Sequence, residues 1–265
     1  MTAAKLNEMR MDEFISEGFA TIPFPKDLQA EMLKEIEKRI RQMFAAGPVS
    51  DQISLKQLAM NVPDDVWSKK MHRGMRIFSE DQSEKIHQWA DRSIRVGFGR
   101  ERSVVNAVTP YEISINPQLS EKSRVIYWRC VRPGKPDAGR PHRDSTFWAI
   151  EVDEGYDPKI PFPFDYVKDC IKLWIPLQGC SPRTTLQVIP RSHQMDIPTE
   201  VIDTEYGRKP TLTTAWLKEH EKEFMSPIAL SQDSCIIFDN NLVHRGPTHQ
   251  ESELRISAEL TLIVQ

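Results

Sequence analysis

His142 and Asp144 stand two residues apart in the stretch Pro141-His142-Arg143-Asp144-Ser145-Thr146-Phe147-Trp148. On a β-strand, residues two apart face the same side, so an imidazole and a carboxylate would converge on one point. His244, far downstream in Leu242-Val243-His244-Arg245-Gly246, offers a second imidazole. Two histidines and one carboxylate on one face make the set that holds a non-haem Fe(II) and leaves coordination positions open. Taken singly, each signal is weak. A His-x-Asp triplet is a short motif with many chance matches, and the pair equally suits a turn network at a strand edge. A histidine after an apolar strand, as at His244, is ordinarily structural.

Arg255 and Ser257 share one face of a terminal apolar strand, Leu254-Arg255-Ile256-Ser257-Ala258-Glu259-Leu260. A buried guanidinium needs an anionic partner, because an unpaired buried charge is costly. Its planar fork fits a carboxylate, and a serine hydroxyl adds a hydrogen bond. Two partners suit it: Glu259, on the same face by parity, or the far carboxylate of a small diacid.

The elements that must position these groups are mostly strands. Val125, Tyr127, Arg129 and Val131 alternate with Ile126, Trp128 and Cys130 in a strand rich in aromatic and β-branched residues. A Gly- and Pro-containing loop over 133–141 leads to a strand expected over His142 to Ile150. Further strands are expected at Ile171–Leu177, Leu186–Ile189, Ser226–Leu230, Ser234–Phe238, Leu242–His244 and Leu254–Val264. The stretch 199–223 reads as a polar loop with a short helix near Trp216. Short strands divided by Gly/Pro turns predict a mainly β fold with flanking helices, a cupin-like jelly roll or double-stranded β-helix. The N-terminal part supplies the flank. A short helix is expected to stop at Gly18, followed by a strand over Phe19–Phe24. Leu28, Met32, Leu33, Ile36, Ile40, Met43 and Phe44 then recur at helical spacing, with Asp27 as N-cap. Ser79-Glu80-Asp81-Gln82 reads as a capping box opening another helix. Residues 1–265 are expected to form a single domain, with 1–122 as the helical flank and 123–265 as the jelly-roll core.

These motifs together resemble the Fe(II)/2-oxoglutarate-dependent dioxygenases of the phytanoyl-CoA dioxygenase-like family. His142-x-Asp144, His244 and Arg255-x-Ser257 carry the resemblance. Leu173-Trp174-Ile175-Pro176-Leu177 with Val188-Ile189-Pro190-Arg191-Ser192-His193, the segment Asp233 through Gly246, and the opening Phe14 to Ile22 extend it. Arg191 and Gln232 stand where the family usually has glycine, which bears on loop shape. The resemblance implies that His142, Asp144 and His244 bind Fe(II). It implies that Arg255 and Ser257 take the far carboxylate of the co-substrate 2-oxoglutarate, that Trp174 borders it, and that Arg129 or Tyr127 adds a polar contact. It implies the use of O2 to hydroxylate a C–H bond, with release of succinate and CO2. Asp144 disfavours the halogenase variant, in which a small residue replaces the carboxylate.

The chain has 265 residues and a net charge of −3. With no basic run, nucleic acid is not an expected partner. No apolar run reaches the ~20 residues of a membrane span. The N-terminus lacks an apolar leader core, and the four cysteines form no C-x-x-C pair, so a cytoplasmic protein with free thiols is expected. The expected partner is a small-molecule substrate. Arg140, by parity with His142 and Asp144, is expected to reach the pocket, and Phe147 and Trp148 to line it. Arginines there point to an anionic substrate such as a carboxylate, phosphate, phosphonate or acidic sugar; surface pairing with Asp137, Glu151 or Glu154 is the other use for them. Arg143 and Arg245 should point away. His193 is expected to be structural, His249 solvated, and His72, His87 and His220 to lie on the surface. A non-redox metal-dependent cupin-type enzyme and a ligand-binding jelly roll are the competing functions. Neither needs a diacid anchor at Arg255.

Overall fold

The computed structural model describes residues 3–44, 53–72, 77–78, 80–98, 104–107, 125–135, 137, 139–147, 170–204, 207–227, 233–249 and 251–264. Helix α1 (Ala3–Glu17) ends at Gly18, whose φ of +85° turns the chain into strand β1 (Phe19–Pro23). A side chain at Gly18 would also meet the His193 ring. Helix α2 (Lys26–Phe44) buries Met32, Ile36 and Ile40, one stripe at four-residue spacing. It begins before Asp27, so Asp27 lies in the first turn rather than at the N-cap. There it still faces the positive end of the helix dipole. The expected capping box at Ser79 lies outside the described residues. A box that periodicity did not suggest caps helix α3 (Leu55–Met60): Ser54 accepts from the Gln57 amide, and the Gln57 side chain accepts from the Ser54 amide. Helices α4 (Asp64–His72) and α5 (Glu80–Phe98), with the short strand β2 (Ile77–Phe78) between them, complete the flank.

Strands β3 (Val104–Ala107), β4 (Ile126–Val131), β5 (Cys170–Gln178), β9 (Ser234–Asp239) and β11 (Arg255–Val264) join β1 and β2 in a seven-stranded sheet. Its order is β1-β9-β5-β11-β4-β2, with β3 also on β11, and every pairing is antiparallel. Alternation sorts its two faces. Ile126, Trp128 and Cys130 of β4, Ile171, Leu173 and Ile175 of β5, and Ile256, Ala258 and Leu260 of β11 join the core under the helices. The opposite face carries Tyr127 and Arg129, then Lys172 and Trp174, then Ser257, Glu259 and Thr261. Strands β6 (Gln187–Val188) and β10 (His244–Arg245) pair with each other. Single bridges at His142–His244 and Val188–Met225 extend them into a small second sheet. A second apolar cluster, including Phe19, Trp174, Val188, Ile236, Phe238 and Leu242, joins the two sheets. This is the jelly-roll arrangement with flanking helices.

Three expected elements differ. The strand expected over His142 to Ile150 is one bridge residue followed by a 3-10 turn, Asp144–Phe147. Residues 148–150 lie outside the described ones. The loop expected over 199–223 contains a hairpin, β7 (Thr199–Thr204) with β8 (Gly207–Leu212), before the short helix α6 (Thr214–Glu219) that carries Trp216. Pro210 and the surrounding charges hid that hairpin, because polar two-stranded ribbons lack the apolar alternation that marks half-buried strands. The expected strand Ser226–Leu230 is not formed at its described start, residues 226–227; the rest lies outside the described residues.

Candidate metal centre

The small sheet brings the histidines together. His142 and His244 are directly opposed in an antiparallel bridge, each amide donating to the other's carbonyl at 3.0 Å. Directly opposed side chains lie on the same face, and the two rings stand 4.4 Å apart. Each ring is then held by its own backbone. His142 Nδ1–H donates to the Arg140 carbonyl (2.7 Å), and His244 Nδ1–H donates to the Leu242 carbonyl (3.0 Å). A carbonyl can only accept, so both Nδ1 atoms carry the proton and Nε2 is left as the ring nitrogen that can bind a metal.

Asp144 lies where both Nε2 atoms point. The 3-10 turn after His142 aims its carboxylate inward, and the Ser145 amide donates to the Asn240 carbonyl (2.9 Å) to hold that turn. Asp144 Oδ1 is 3.6 Å from His142 Nε2, and Oδ2 is 3.5 Å from His244 Nε2. These separations are too long for good hydrogen bonds and short enough to share one ion. All the donor atoms lie within 4.8 Å of one another. Asp144 Oδ2 is buried and accepts no hydrogen bond. Burial raises the Asp144 pKa, yet Lys172, His244 and His142 outweigh it and hold the carboxyl well below the usual range. Burial pushes His244 down to about 4 despite Asp144, so it is a neutral imidazole near pH 7. A buried carboxylate with an orphaned oxygen, facing the Nε2 atoms of two imidazoles, is a donor set that fits a divalent metal.

Arg255 is 3% exposed on the inner face. Its Nη1 donates to the Thr184 carbonyl (2.7 Å) and the Pro247 carbonyl (3.4 Å), and Nε has no partner. Glu259 is not that partner: on a strand rising ~3.3 Å per residue, four positions put its carboxylate beyond reach. Among the described residues no carboxylate pairs with Arg255. Burial lowers its pKa to about 10, which leaves it charged at neutral pH. Gly246 makes room for it, since a Cβ there would sit 2.8 Å from Nη2. Ser257, 4% exposed, keeps the same face, although the β11 register against β5 shifts between Ile256 and Ser257. Thr185, fully buried beside Thr184, also has an unpartnered hydroxyl. Trp174 is buried on the inner wall. Arg129 lies opposite Ser257 on β4, with its guanidinium against Gly139, and Tyr127 lies opposite Glu259.

Other expectations divide. Arg140 is exposed, and it meets the site through its carbonyl rather than its side chain. The turn at Asp144 breaks the strand parity on which its placement depended. Trp148 and the side chain of Phe147 lie outside the described residues. Asp137 pairs with the fully buried Arg132, not with Arg129 or Arg140. Arg143 points away, donating to the Ser192 and Met195 carbonyls, and Arg245 reaches Gln187 and Glu221. His193 packs as a structural residue against the Ile15 carbonyl. His249 is fully buried rather than solvated, with its ring on the Glu253 carbonyl, and His87 is 9% exposed rather than on the surface. The cysteines are free thiols. Sequence reasoning missed Lys172, 6% exposed, whose Nζ lies 3.8 Å from Asp144 Oδ2 and donates to Thr261 Oγ1 at 2.8 Å. The available signal was a charge inside an apolar strand at the same parity as Trp174.

No curated protein matches the sequence. The epimerase SnoN, crystallised with Fe3+, alpha ketoglutarate and nogalamycin RO, superposes with a TM-score of 0.54 at 15% identity, covering 98% of this chain and 84% of its own. EctD from S. alaskensis, crystallised with 2-oxoglutarate and 5-hydroxyectoine, gives 0.53 at 15% identity, covering 99% and 76%. EvdMO1 gives 0.56 at 13% identity, covering 97% of this chain and 50% of its own. At these identities the likeness is one of fold. The sequence profile for phytanoyl-CoA dioxygenase (PhyH) matches residues 18–257. A match over that span makes the chain a member of the phytanoyl-CoA dioxygenase family, an oxidoreductase of the iron- and 2-oxoglutarate-dependent kind.

Proposed function

We propose that this protein hydroxylates a C–H bond of a small anionic molecule, with His142, Asp144 and His244 holding Fe(II). Iron, with 2-oxoglutarate and O2, supplies the chemistry: one oxygen atom enters the substrate, the other enters succinate, and CO2 leaves. The chain's own residues bind and orient. The carbonyls of Arg140 and Leu242 fix the imidazole tautomers. Arg255, with Ser257 and the Thr185 hydroxyl near it, takes the far carboxylate of 2-oxoglutarate. Trp174 walls that site against water, and Arg129 or Tyr127 adds a polar contact.

The buried Arg255 carries this reading. Its charge, its unpartnered Nε and the space kept at Gly246 suit a carboxylate that arrives from outside the chain. A non-redox cupin-type enzyme or a ligand-binding jelly roll would have no use for it. The ligands crystallised with SnoN and EctD, iron and 2-oxoglutarate, support the same assignment. The anionic substrate rests on two further cations of the inner wall, Arg129 opposite Ser257 and Lys172 beside Asp144. The test is succinate release from 2-oxoglutarate under air, screened with carboxylates, phosphates, phosphonates and acidic sugars. A member of that set should stimulate release, and Asp144→Ala should abolish it. Turnover at the wild-type rate in Asp144→Ala would refute the ligand assignment.

A further inference from the structure

Asn240 is fully buried, and among the described residues neither its amide nitrogen nor its amide oxygen has a hydrogen-bond partner. A carboxamide held in that state is destabilising. Nothing in the local backbone asks for it. The Asn240 carbonyl accepts from the Ser145 amide at 2.9 Å, and its amide donates to the Cys170 carbonyl at 3.4 Å, bonds that any residue could make. Its φ is not left-handed, so the turn after β9 does not require an asparagine.

Register puts this side chain on the face of the metal centre. Along β9, Cys235 and Ile237 join the core under the helices, whereas Ile236 and Phe238 join the cluster between the sheets. Asn240 continues the second series by parity. In that series the Phe238 ring already stands 4.8 Å from the His244 ring. The Ser145 amide that Asn240 holds directly follows Asp144, whose Oδ2 is likewise buried and accepts no hydrogen bond. Two unsatisfied groups are thus carried by elements that one backbone bond ties together. The carboxamide is enclosed by protein, so the group that engages it is one already inside. An ion bound through one Asp144 oxygen leaves the other needing a donor, and carboxylates that ligate metals are themselves hydrogen-bonded. With neither end engaged, the Asn240 amide is free to turn its NH2 toward that oxygen.

We infer that Asn240 is a positioning residue for the metal: its Nδ2–H donates to the Asp144 oxygen that the ion leaves free, and so keeps the carboxylate bound through one oxygen. The inference rests on the assignment of His142, Asp144 and His244 as ligands. Its consequence is an open site. A carboxylate swinging to two-oxygen binding would fill one of the positions that a co-substrate needs. Lys172 Nζ, 3.8 Å from Asp144 Oδ2, is the competing donor.

The test titrates full-length protein with Co(II), without 2-oxoglutarate, and follows the visible d–d bands of the bound ion in wild type, Asn240→Leu and Asn240→Ser. Asn240→Leu keeps the branched shape and removes the donor, whereas Asn240→Ser keeps a donor in a smaller side chain. Changing an outer partner of a metal ligand weakens metal binding by about 10- to 100-fold, and Asn240→Leu should lose that much. Asn240→Ser should lose less. At saturating Co(II) the bands of Asn240→Leu should differ from wild type, as the released carboxylate oxygen joins the ion. A loss below about 10-fold, or bands identical to wild type, overturns the inference and leaves Lys172 as the donor. Equal losses in Asn240→Leu and Asn240→Ser report packing instead of a hydrogen bond and also overturn it. A wild type that binds no Co(II) overturns the ligand assignment, and the inference with it. If Asn240→Leu does not fold, Asn240→Ala is compared with Asn240→Ser, two small side chains that differ by one hydroxyl.

Discussion

At Arg255 and Gly246 the space around one guanidinium decides what the protein can hold. Arg255→Ala should weaken 2-oxoglutarate by about 2–5 kcal/mol, while Fe(II) binding in the absence of 2-oxoglutarate stays within a few-fold. Equal losses in both titrations would contradict the anchor role. Gly246→Ala probes the same point without removing a charge. Its Cβ would stand 2.8 Å from Arg255 Nη2, so the guanidinium must shift, and 2-oxoglutarate affinity should fall roughly 10-fold, as for one misaligned charge-assisted bond. Unchanged affinity would show that the guanidinium is not where the carboxylate docks. The thiols should be inert. Burial raises Cys130 and Cys235 far above the usual thiol range and Cys180 to about 12. Alkylation near pH 8 should therefore be slow in the folded protein and rapid in denaturant. Side-chain type and close spacing singled out His142, Asp144 and His244, and parity on β11 singled out Arg255 and Ser257, whereas the strand parity expected at Asp144 gives way to a turn. The Nδ1 contacts, the space at Gly246 and the position of Lys172 depend on packing between distant strands, and no local pattern encodes them.

Among the elements, strands with one apolar face were legible, because alternation against a core is a strong local signal. That is how β4, β5, β9 and β11 could be placed, and how Arg129 and Trp174 could be assigned to one wall. The segment after His142 was not legible, since a single bridge followed by a 3-10 turn has no period. The turn does what a strand was expected to do: it points Asp144 at both imidazoles. A different element junction depends on Arg132, fully buried at the end of β4. It binds Asp137, Asp64 and the Val62 carbonyl, with its guanidinium over the Trp67 ring. Asp137 is itself 8% exposed, so Arg132→Leu would leave a buried carboxylate unpaired. A loss of about 3–5 kcal/mol is expected in urea unfolding. A loss under 1 kcal/mol would mean that the helical flank is held without this junction.

For the whole molecule, the metal is an addition to a fold that stands without it. The two apolar clusters on either side of the seven-stranded sheet include none of His142, Asp144 and His244, unlike small domains whose folding energy is metal binding. Chelation should therefore leave a cooperative melt, and a divalent ion at ~100 times its Kd should add about 2.7 kcal/mol. Unfolding on chelation would contradict this division between scaffold and site. The central claim is that the His142, Asp144 and His244 set and Arg255 act together on one iron and one 2-oxoglutarate. Anaerobic titration with Fe(II) and 2-oxoglutarate, followed by visible absorption, tests it most directly. The expected result is the charge-transfer band of the chelate in wild type, absent in Arg255→Ala at concentrations that saturate wild type. No band in wild type, with Zn(II) binding in place of iron, would contradict it and leave a non-redox metal centre.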